Sequence, residues 1–275
     1  MISINNIYYR YEQEGIDALC GVSLEIQEGE HLSLIGPNGC GKTTLIQHLN
    51  ALILPRQGKV IIDGLNTSDT ENHIQIRSRV GMVFQNPENQ IIGMTVEEDV
   101  AFGPENLQLP TAAIKERVAE ALERVGILEL AKRNVEHLSG GEKRLVAIAG
   151  VLAMRPRYIA FDEPTAFLDP AAAKRILKII DKLNTENVGI IHITHNMDEA
   201  AMASRVVVIN EGRVSMEGDP QDIFGKVDLL QEMGMQLPQV TELLIRLKLD
   251  GFPVRTDIVA MEDATEQIKL LVKTR

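Results

Sequence analysis

Gly36-Pro37-Asn38-Gly39-Cys40-Gly41-Lys42-Thr43-Thr44 matches the phosphate-binding pattern G-x-x-x-x-G-K-[ST] at every position. The apolar run His31-Leu32-Ser33-Leu34-Ile35 before it reads as a buried strand, and Thr44 to Asn50 after it reads as a helix. A strand, a glycine-rich turn and a helix N-terminus together form a cradle for anions. The glycines let backbone N–H groups curl towards phosphate oxygens, and the helix dipole adds positive potential at the same point. Lys42 brings a point charge to the β- and γ-phosphates, and the Thr43 hydroxyl suits a Mg²⁺ ligand. The stretch predicts a chain that binds a nucleoside triphosphate.

The length of 275 residues suits one large domain, or one domain with appendages, and allows a sizeable core. With 39 acidic and 28 basic residues the net charge is −11, which argues against broad electrostatic binding to nucleic acid or anionic lipid. Cys20 and Cys40 stand far apart and form no metal or disulfide pattern, which suits a reducing cytosol. Met1-Ile2-Ser3-Ile4-Asn5-Asn6 has no basic-then-apolar signal, and no apolar run approaches the roughly 18 residues of a membrane helix. The expectation is a soluble cytosolic chain, for which any membrane role must come through a partner.

Outward from the loop, the first 30 residues alternate in hydropathy and predict antiparallel strands. Val60 to Gly64 and Val80 to Gln85 read as further strands. In Thr111 to Leu130 the apolar residues Ile114, Val118, Leu122 and Val125 share one helix face, and Arg144 to Met154 reads as a buried helix. Tyr158 to Glu163 and Val188 to His195 are apolar strands ending in polar groups, with a helix over Ala171 to Leu183 between them. That order predicts a parallel α/β sheet, with Gln85, Asp162, Glu163 and His195 at its carboxyl edge, where ligands bind. Val206 to Val214 reads as a hairpin through Glu211-Gly212. Gln239 to Leu249 reads as a helix with Val240, Leu243, Leu244 and Leu247 on its apolar face.

Leu138-Ser139-Gly140-Gly141-Glu142 is a second glycine turn at a helix start, followed by the Asp162-Glu163 strand end, Leu168-Asp169 and His195. In this order, behind the P-loop, the segments resemble those of the ATP-binding cassette (ABC) ATPases over about residues 1–220. The resemblance implies a P-loop NTPase fold with an antiparallel β subdomain, a helical subdomain over about 87–155 and a C-terminal helical appendage over 221–275. It also implies roles. Gly36 to Thr44 hold the ATP phosphates, while Thr43, Asp162 and Gln85 serve Mg²⁺. Glu163 is the general base for the attacking water, and His195 contacts the γ-phosphate. Ser139, Gly140 and Gly141 clamp ATP bound to the opposite subunit, and Asp169 links the two composite sites. Tyr11 stacks on adenine, with Tyr9 as its rival. His48, His137 and His192 are structural, and Glu142 departs from the commoner glutamine.

Gly81 to Gln90, Thr95 to Asn106, Gly218-Asp219-Pro220 and Leu237 to Leu243 are similar to the energy-coupling factor (ECF) ATPases, cobalt and nickel importers among them. The implied protein is a peripheral ATPase at the cytoplasmic face of the cell membrane, a homodimer or a heterodimer with a paralogue. It drives a transmembrane coupling protein and a solute-binding membrane subunit, binds no nucleic acid, and powers uptake of cobalt, nickel or a vitamin. The rival readings are the ATPase of another ABC transporter, such as an exporter, and a soluble non-transport ABC ATPase. Two further expectations concern surface chemistry. Cys40, at a helix N-terminus, is expected to carry a stabilised thiolate, with Cys20 on an edge turn. Asn86 to Phe102 is expected to supply an apolar groove, with Glu97-Glu98-Asp99 as charges for a partner helix.

Overall fold

The computed structural model describes residues 1–12, 15 and 17–273. Two sheets carry the chain. The smaller is formed by β1 (Ile2–Arg10), β2 (Asp17–Ile26), β4 (Gln57–Ile62) and β5 (Leu65–Asn66), antiparallel in the order β2-β1-β4-β5. The larger runs β10-β9-β3-β8-β7-β6, from β3 (His31–Ile35), β6 (Val80–Val83), β7 (Tyr158–Asp162), β8 (Gly189–Ile193), β9 (Arg205–Asn210) and β10 (Arg213–Gly218). All its pairings are parallel except the β9–β10 hairpin. Strands β3, β6, β7 and β8 are buried along their whole length, which explains their unbroken apolar runs.

Helix α1 (Lys42–Leu49) follows β3 and packs between the two sheets, where Leu45, Ile46 and Leu49 join Ile2, Ile4, Leu24, Leu32 and Leu34 in one core. Helix α2 (His73–Arg79) leads into β6. Helices α3 (Val96–Asn106), α4 (Thr111–Val125) and α5 (Gly140–Ala153) form a second layer, whose core is shared with the sheet through Val83, Ile159 and Phe161. Helix α6 (Pro170–Thr185) turns its Ile176, Ile180 and Leu183 onto the same core. Thr95 and Glu98 form a reciprocal capping box that starts α3, so the Glu97-Glu98-Asp99 run does begin a helix. Helix α4 stops at Val125, short of the predicted Leu130, because Gly126 adopts a left-handed φ of 71°.

After α7 (Met197–Ala200) and the hairpin, α8 (Pro220–Phe224) and α9 (Val227–Glu232) pack Ile223, Phe224 and Leu230 against Ile35, Val206 and Val208 of the large sheet. Helices α10 (Gln239–Leu249) and α11 (Met261–Lys273) close a small cluster of their own around Leu244, Val254 and Ile258. Leu243 departs from the expected apolar face and is exposed, whereas Val240 and Leu244 are buried. Among the described residues no helix is long and apolar enough to cross a membrane.

Three histidines lie in these cores. Burial pushes His31 and His48 down to about 4, and His192 to about 3, with the neighbouring His31 adding to the effect at His192. An unfolded histidine titrates near 6.5. Above that pH both states are neutral and stability is complete. As pH falls from about 6.5 towards 3–4, the unfolded chain takes up protons that the folded chain refuses, so stability declines. The melting temperature is expected to drop steadily between pH 7 and pH 4.5. A melting temperature that does not change over that interval contradicts the neutral burial of these rings.

Candidate functional site

The loop between β3 and α1 is shaped by three glycines in backbone conformations that other residues avoid, with φ of 147° at Gly36, 76° at Gly39 and 105° at Gly41. Lys42 lies folded over this loop, its Nζ donating to the carbonyls of Gly36 at 2.8 Å and Pro37 at 2.9 Å. Asn38, Gly39 and Thr43 face solvent, while Gly41, Lys42 and Thr44 are buried. Thr43 Oγ1 donates to Asp162 Oδ2 at 2.9 Å, joining the first turn of α1 to the end of β7. Asp162 is 4% exposed, and burial raises its pKa, opposed by the Thr43 hydrogen bond.

Next to Asp162 the chain leaves the sheet, and Glu163 takes a φ of 47°. Non-glycine residues pay strain there of order 1–3 kcal/mol. The turn aims the carboxylate between two polar groups: Gln85 Nε2 donates to Glu163 Oε2 at 2.9 Å, and His195 Nε2 lies 3.0 Å from Oε1. Thr43, Gln85, Asp162, Glu163 and His195 thus converge at the carboxyl ends of β6, β7 and β8. The predicted strands are shorter than expected: β6 ends at Val83 and β7 at Asp162, so Gln85 and Glu163 stand on the loops beyond. Hard oxygen donors of this kind suit Mg²⁺, which keeps most of its shell as water and phosphate oxygens. No cluster of three or more acidic, histidine or cysteine ligands occurs among the described residues.

The structure does not bring the remaining predicted residues to this point. Ser139 and Gly140 are exposed and Gly141 half-buried at the start of α5, and among the described residues no hydrogen bond joins them to the P-loop. The Ser139 N–H donates to Glu142 Oε2 at 2.7 Å and the Glu142 N–H to Ser139 Oγ at 3.3 Å, a second capping box, and Ser139 Oγ lies 2.8 Å from the same Oε2. The backbone N–H of Ser139, then its hydroxyl, hold the Glu142 carboxyl below the usual range, and Arg133 lies 3.6 Å away. The glutamate therefore closes the turn on itself. Asp169 caps α6 through the N–H groups of Ala171 and Ala172. The Tyr11 hydroxyl lies 3.1 Å from Thr44 Oγ1, and its ring meets Tyr9 edge-on at 5.0 Å.

The expectation for Cys40 is overturned. Its side chain is 6% exposed beneath the loop, and burial raises the thiol's pKa more than the Lys42 ammonium lowers it. Cys20 sits within β2, half-buried, and not on an edge turn. A maleimide is expected to label Cys20 first and Cys40 slowly; preferential modification of Cys40, read by mass spectrometry, contradicts this burial.

Sequence reasoning passed over two charged residues. Arg144, 2% exposed, donates from its guanidinium to the carbonyls of Phe84 and Gln85 at 2.5 Å each, fastening α5 to the Gln85 loop. A cation directly before the apolar run Leu145 to Ala149, on a helix that is otherwise apolar almost all round, was the available signal. Glu199, 5% exposed, is the second.

Residues 19–166 match the ABC transporter family, more than half of the chain. The chain belongs to that family, and it is one of its ATPases. Its relatives place it in the energy-coupling factor branch. It is 52% identical over 268 residues to the cobalt import ATP-binding protein CbiO of Syntrophus aciditrophicus (strain SB), covering 98% of this chain and 96% of that protein. It is 48% identical over 275 residues to the energy-coupling factor transporter ATP-binding protein EcfA1 of Symbiobacterium thermophilum, covering 97% and 96%. The solved structure of cbiO1 from Clostridium perfringens, described as part of the ABC transporter complex cbiONQ, superposes with a TM-score of 0.75 at 35% identity, over 89% of this chain and 98% of that one. A dimeric ATP-binding cassette in a post-hydrolysis state, bound to ADP and Pi, superposes with a TM-score of 0.72 at 31% identity, over 80% and 99%.

Proposed function

We propose that this chain is the ATP-hydrolysing subunit of an ECF-type importer for cobalt, nickel or a vitamin, working as a dimer at the cytoplasmic face of the membrane. The observation that carries the reading is the Glu163 carboxylate held between Gln85 and His195, one residue beyond the Asp162–Thr43 pair. In this reading the P-loop N–H groups and Lys42 bind the phosphates. Thr43 and Asp162, with Gln85, hold Mg²⁺, which when bound neutralises charge on the β- and γ-phosphates. Glu163 accepts the proton of the attacking water, and His195 and Gln85 keep that carboxylate aimed. Tyr11 faces the adenine. Ser139, Gly140 and Gly141, remote from their own P-loop, complete the site of a second ATPase subunit, a copy or a paralogue, and Asp169 lies at that junction. The glycine turn at the start of α5, exposed at Ser139 and Gly140, and the dimeric cassette among similar structures support this arrangement.

The membrane partner has a candidate seat. A groove of about 560 Å³ opens between α2, β6, α3 and α5, lined by Leu52, Ile74, Phe84, Ile92, Phe102 and Met154. Ile92 and Phe102 are 63% and 50% exposed there, as helix-in-groove docking requires. The acidic run plays a different part from the one expected. Val96 is fully buried, Glu98 is committed to the capping box, and Asp99 Oδ1 accepts from the N–H groups of Ile92 and Gly93 at 2.7 and 2.9 Å. The half-buried Glu97 and the exposed, cap-bound Glu98 are left to face a partner. Phe102→Asp is therefore the better probe. It is expected to weaken co-purification with integral membrane proteins by tenfold or more, the weight of an interface hot spot, and to leave ATP binding unchanged. Undiminished recovery of the membrane partner with Phe102→Asp would remove the groove from the reading.

A further inference from the structure

Glu199 stands in the fourth position after His195, on the one-turn helix α7, and its side chain is almost wholly buried. Among the described residues no lysine or arginine lies within ion-pair distance of it. The nearest basic ring is His192, with Nε2 at 3.5 Å from Glu199 Oε2, and burial keeps that imidazole neutral. A buried carboxyl without a cationic partner is costly unless hydrogen bonds satisfy it. Here the donors are all neutral, and they come from two loops. Thr165 Oγ1 donates at 2.9 Å to Oε1 and lies 3.0 Å from Oε2. Thr194 Oγ1 donates to Oε2 at 2.8 Å, and Asn196 Nδ2 to Oε1 at 3.3 Å.

Those donors are the immediate surroundings of the hydrolytic pair. Thr165 lies two residues beyond Glu163, and Thr194 and Asn196 flank His195 on either side. Thr194 Oγ1 in turn accepts from the N–H of Asn196 at 3.0 Å, so the turn that carries His195 is closed on itself and then on Glu199. Among the described residues two polar contacts join the loops directly: the Glu163 N–H donates to the Ile193 carbonyl at 3.0 Å, and the His195 ring touches the Glu163 carboxylate. Neither contact fixes the loop beyond Glu163, whose own φ is strained.

We propose that Glu199 is a positioning residue for hydrolysis: its carboxyl ties the loop after Glu163 to the turn carrying His195 and so sets the Glu163–His195 distance. The inference rests on the reading of Glu163 and His195 as the hydrolytic pair. It predicts a loss in turnover without a loss in ATP binding, because neither Glu199 nor its donors touch the P-loop. Misplacement of a catalytic pair by about 1 Å costs up to roughly a hundredfold in rate.

The test uses the full chain in its assembled transporter, with Thr165→Val, Thr165→Ser, Glu199→Gln and the double variant Thr165→Val/Glu199→Gln. Thr165→Val keeps the side chain's shape, so it survives if Glu199→Gln fails to fold. Thr165→Val and Glu199→Gln are expected to lower kcat about 10- to 100-fold, with KM for ATP within about twofold of the parent. Thr165→Ser, which restores the hydroxyl, should recover most of kcat. The double variant should be no slower than the slower single one, since both cut the same tie. Unchanged kcat in Thr165→Val, failure of Thr165→Ser to recover it, or losses that multiply in the double variant would each overturn the proposal. Glu163→Gln is run alongside. If it is slow while Thr165→Val is normal, only the role of Glu199 falls; if Glu163→Gln turns over normally, the hydrolytic pair and the proposal fall together.

Discussion

Glu163→Gln is expected to lower ATP turnover about 10²- to 10⁴-fold, the usual weight of a general base, while ATP binding persists. The substitution is isosteric, so it tests proton acceptance and little else. Gln85 Nε2 and His195 Nε2 both approach the carboxylate, at 2.9 and 3.0 Å, and an amide can still meet one of them through its oxygen. The cradle stays as it is, because Lys42, Thr43 and Asp162 make no hydrogen bond to Glu163. The strained φ of 47° also remains, since it belongs to the backbone. Binding without turnover should trap two ATP molecules between paired subunits and raise the dimer fraction in the presence of ATP. Single-turnover hydrolysis and sedimentation of the same sample separate the two effects. Near-parental hydrolysis by Glu163→Gln in the assembled transporter would remove Glu163 from the role of base.

Much of this site can be read from the chain because its parts are local. A P-loop is one strand, one turn and one helix start, so Gly36 to Thr44 carries its own geometry in its glycines and its flanks. The strand ends behave in the same way: Asp162 and His195 follow apolar runs that only a buried parallel strand explains. What escaped the reading depends on contacts across the chain. Arg144 reads as an interruption of an apolar helix until its carbonyl partners, about 60 residues away in sequence, are in place. Glu199 reads as an acidic residue suited to the start of a helix, and only the fold brings Thr165 beneath it. Cys40 shows the opposite error. Its sequence position at a helix start argues for a thiolate, yet the loop folds its sulfur inwards, against Gly36 and the Lys42 ammonium, where burial outweighs the lysine's charge.

That inward sulfur makes Gly36 the position where one methyl group should do most harm to the cradle. A Cβ on Gly36 would lie 2.0 Å from the carbonyl oxygen of Ile209 in β9 and 2.9 Å from Cys40 Sγ, at a φ of 147°. The first neighbour is the backbone of Ile209, itself fully buried in β9, and cannot step aside as a side chain can. Gly36→Ala must therefore push the loop away from the sheet, combining overpacking of about 1–3 kcal/mol with backbone strain of similar size. At about 2–4 °C per kcal/mol for a chain approaching this length, the melting temperature should fall by roughly 5–20 °C. ATP affinity should fall with it, because the Gly36 carbonyl that holds Lys42 moves with the loop. Gly39→Ala supplies the control: its φ of 76° is left-handed too, but nothing lies within 4 Å of the added carbon. It should lose only about 1–2 kcal/mol, the cost of the left-handed conformation alone. Equal losses in the two variants, by thermal melting and ATP titration, would mean that the contact with Ile209 is not what requires a glycine at position 36.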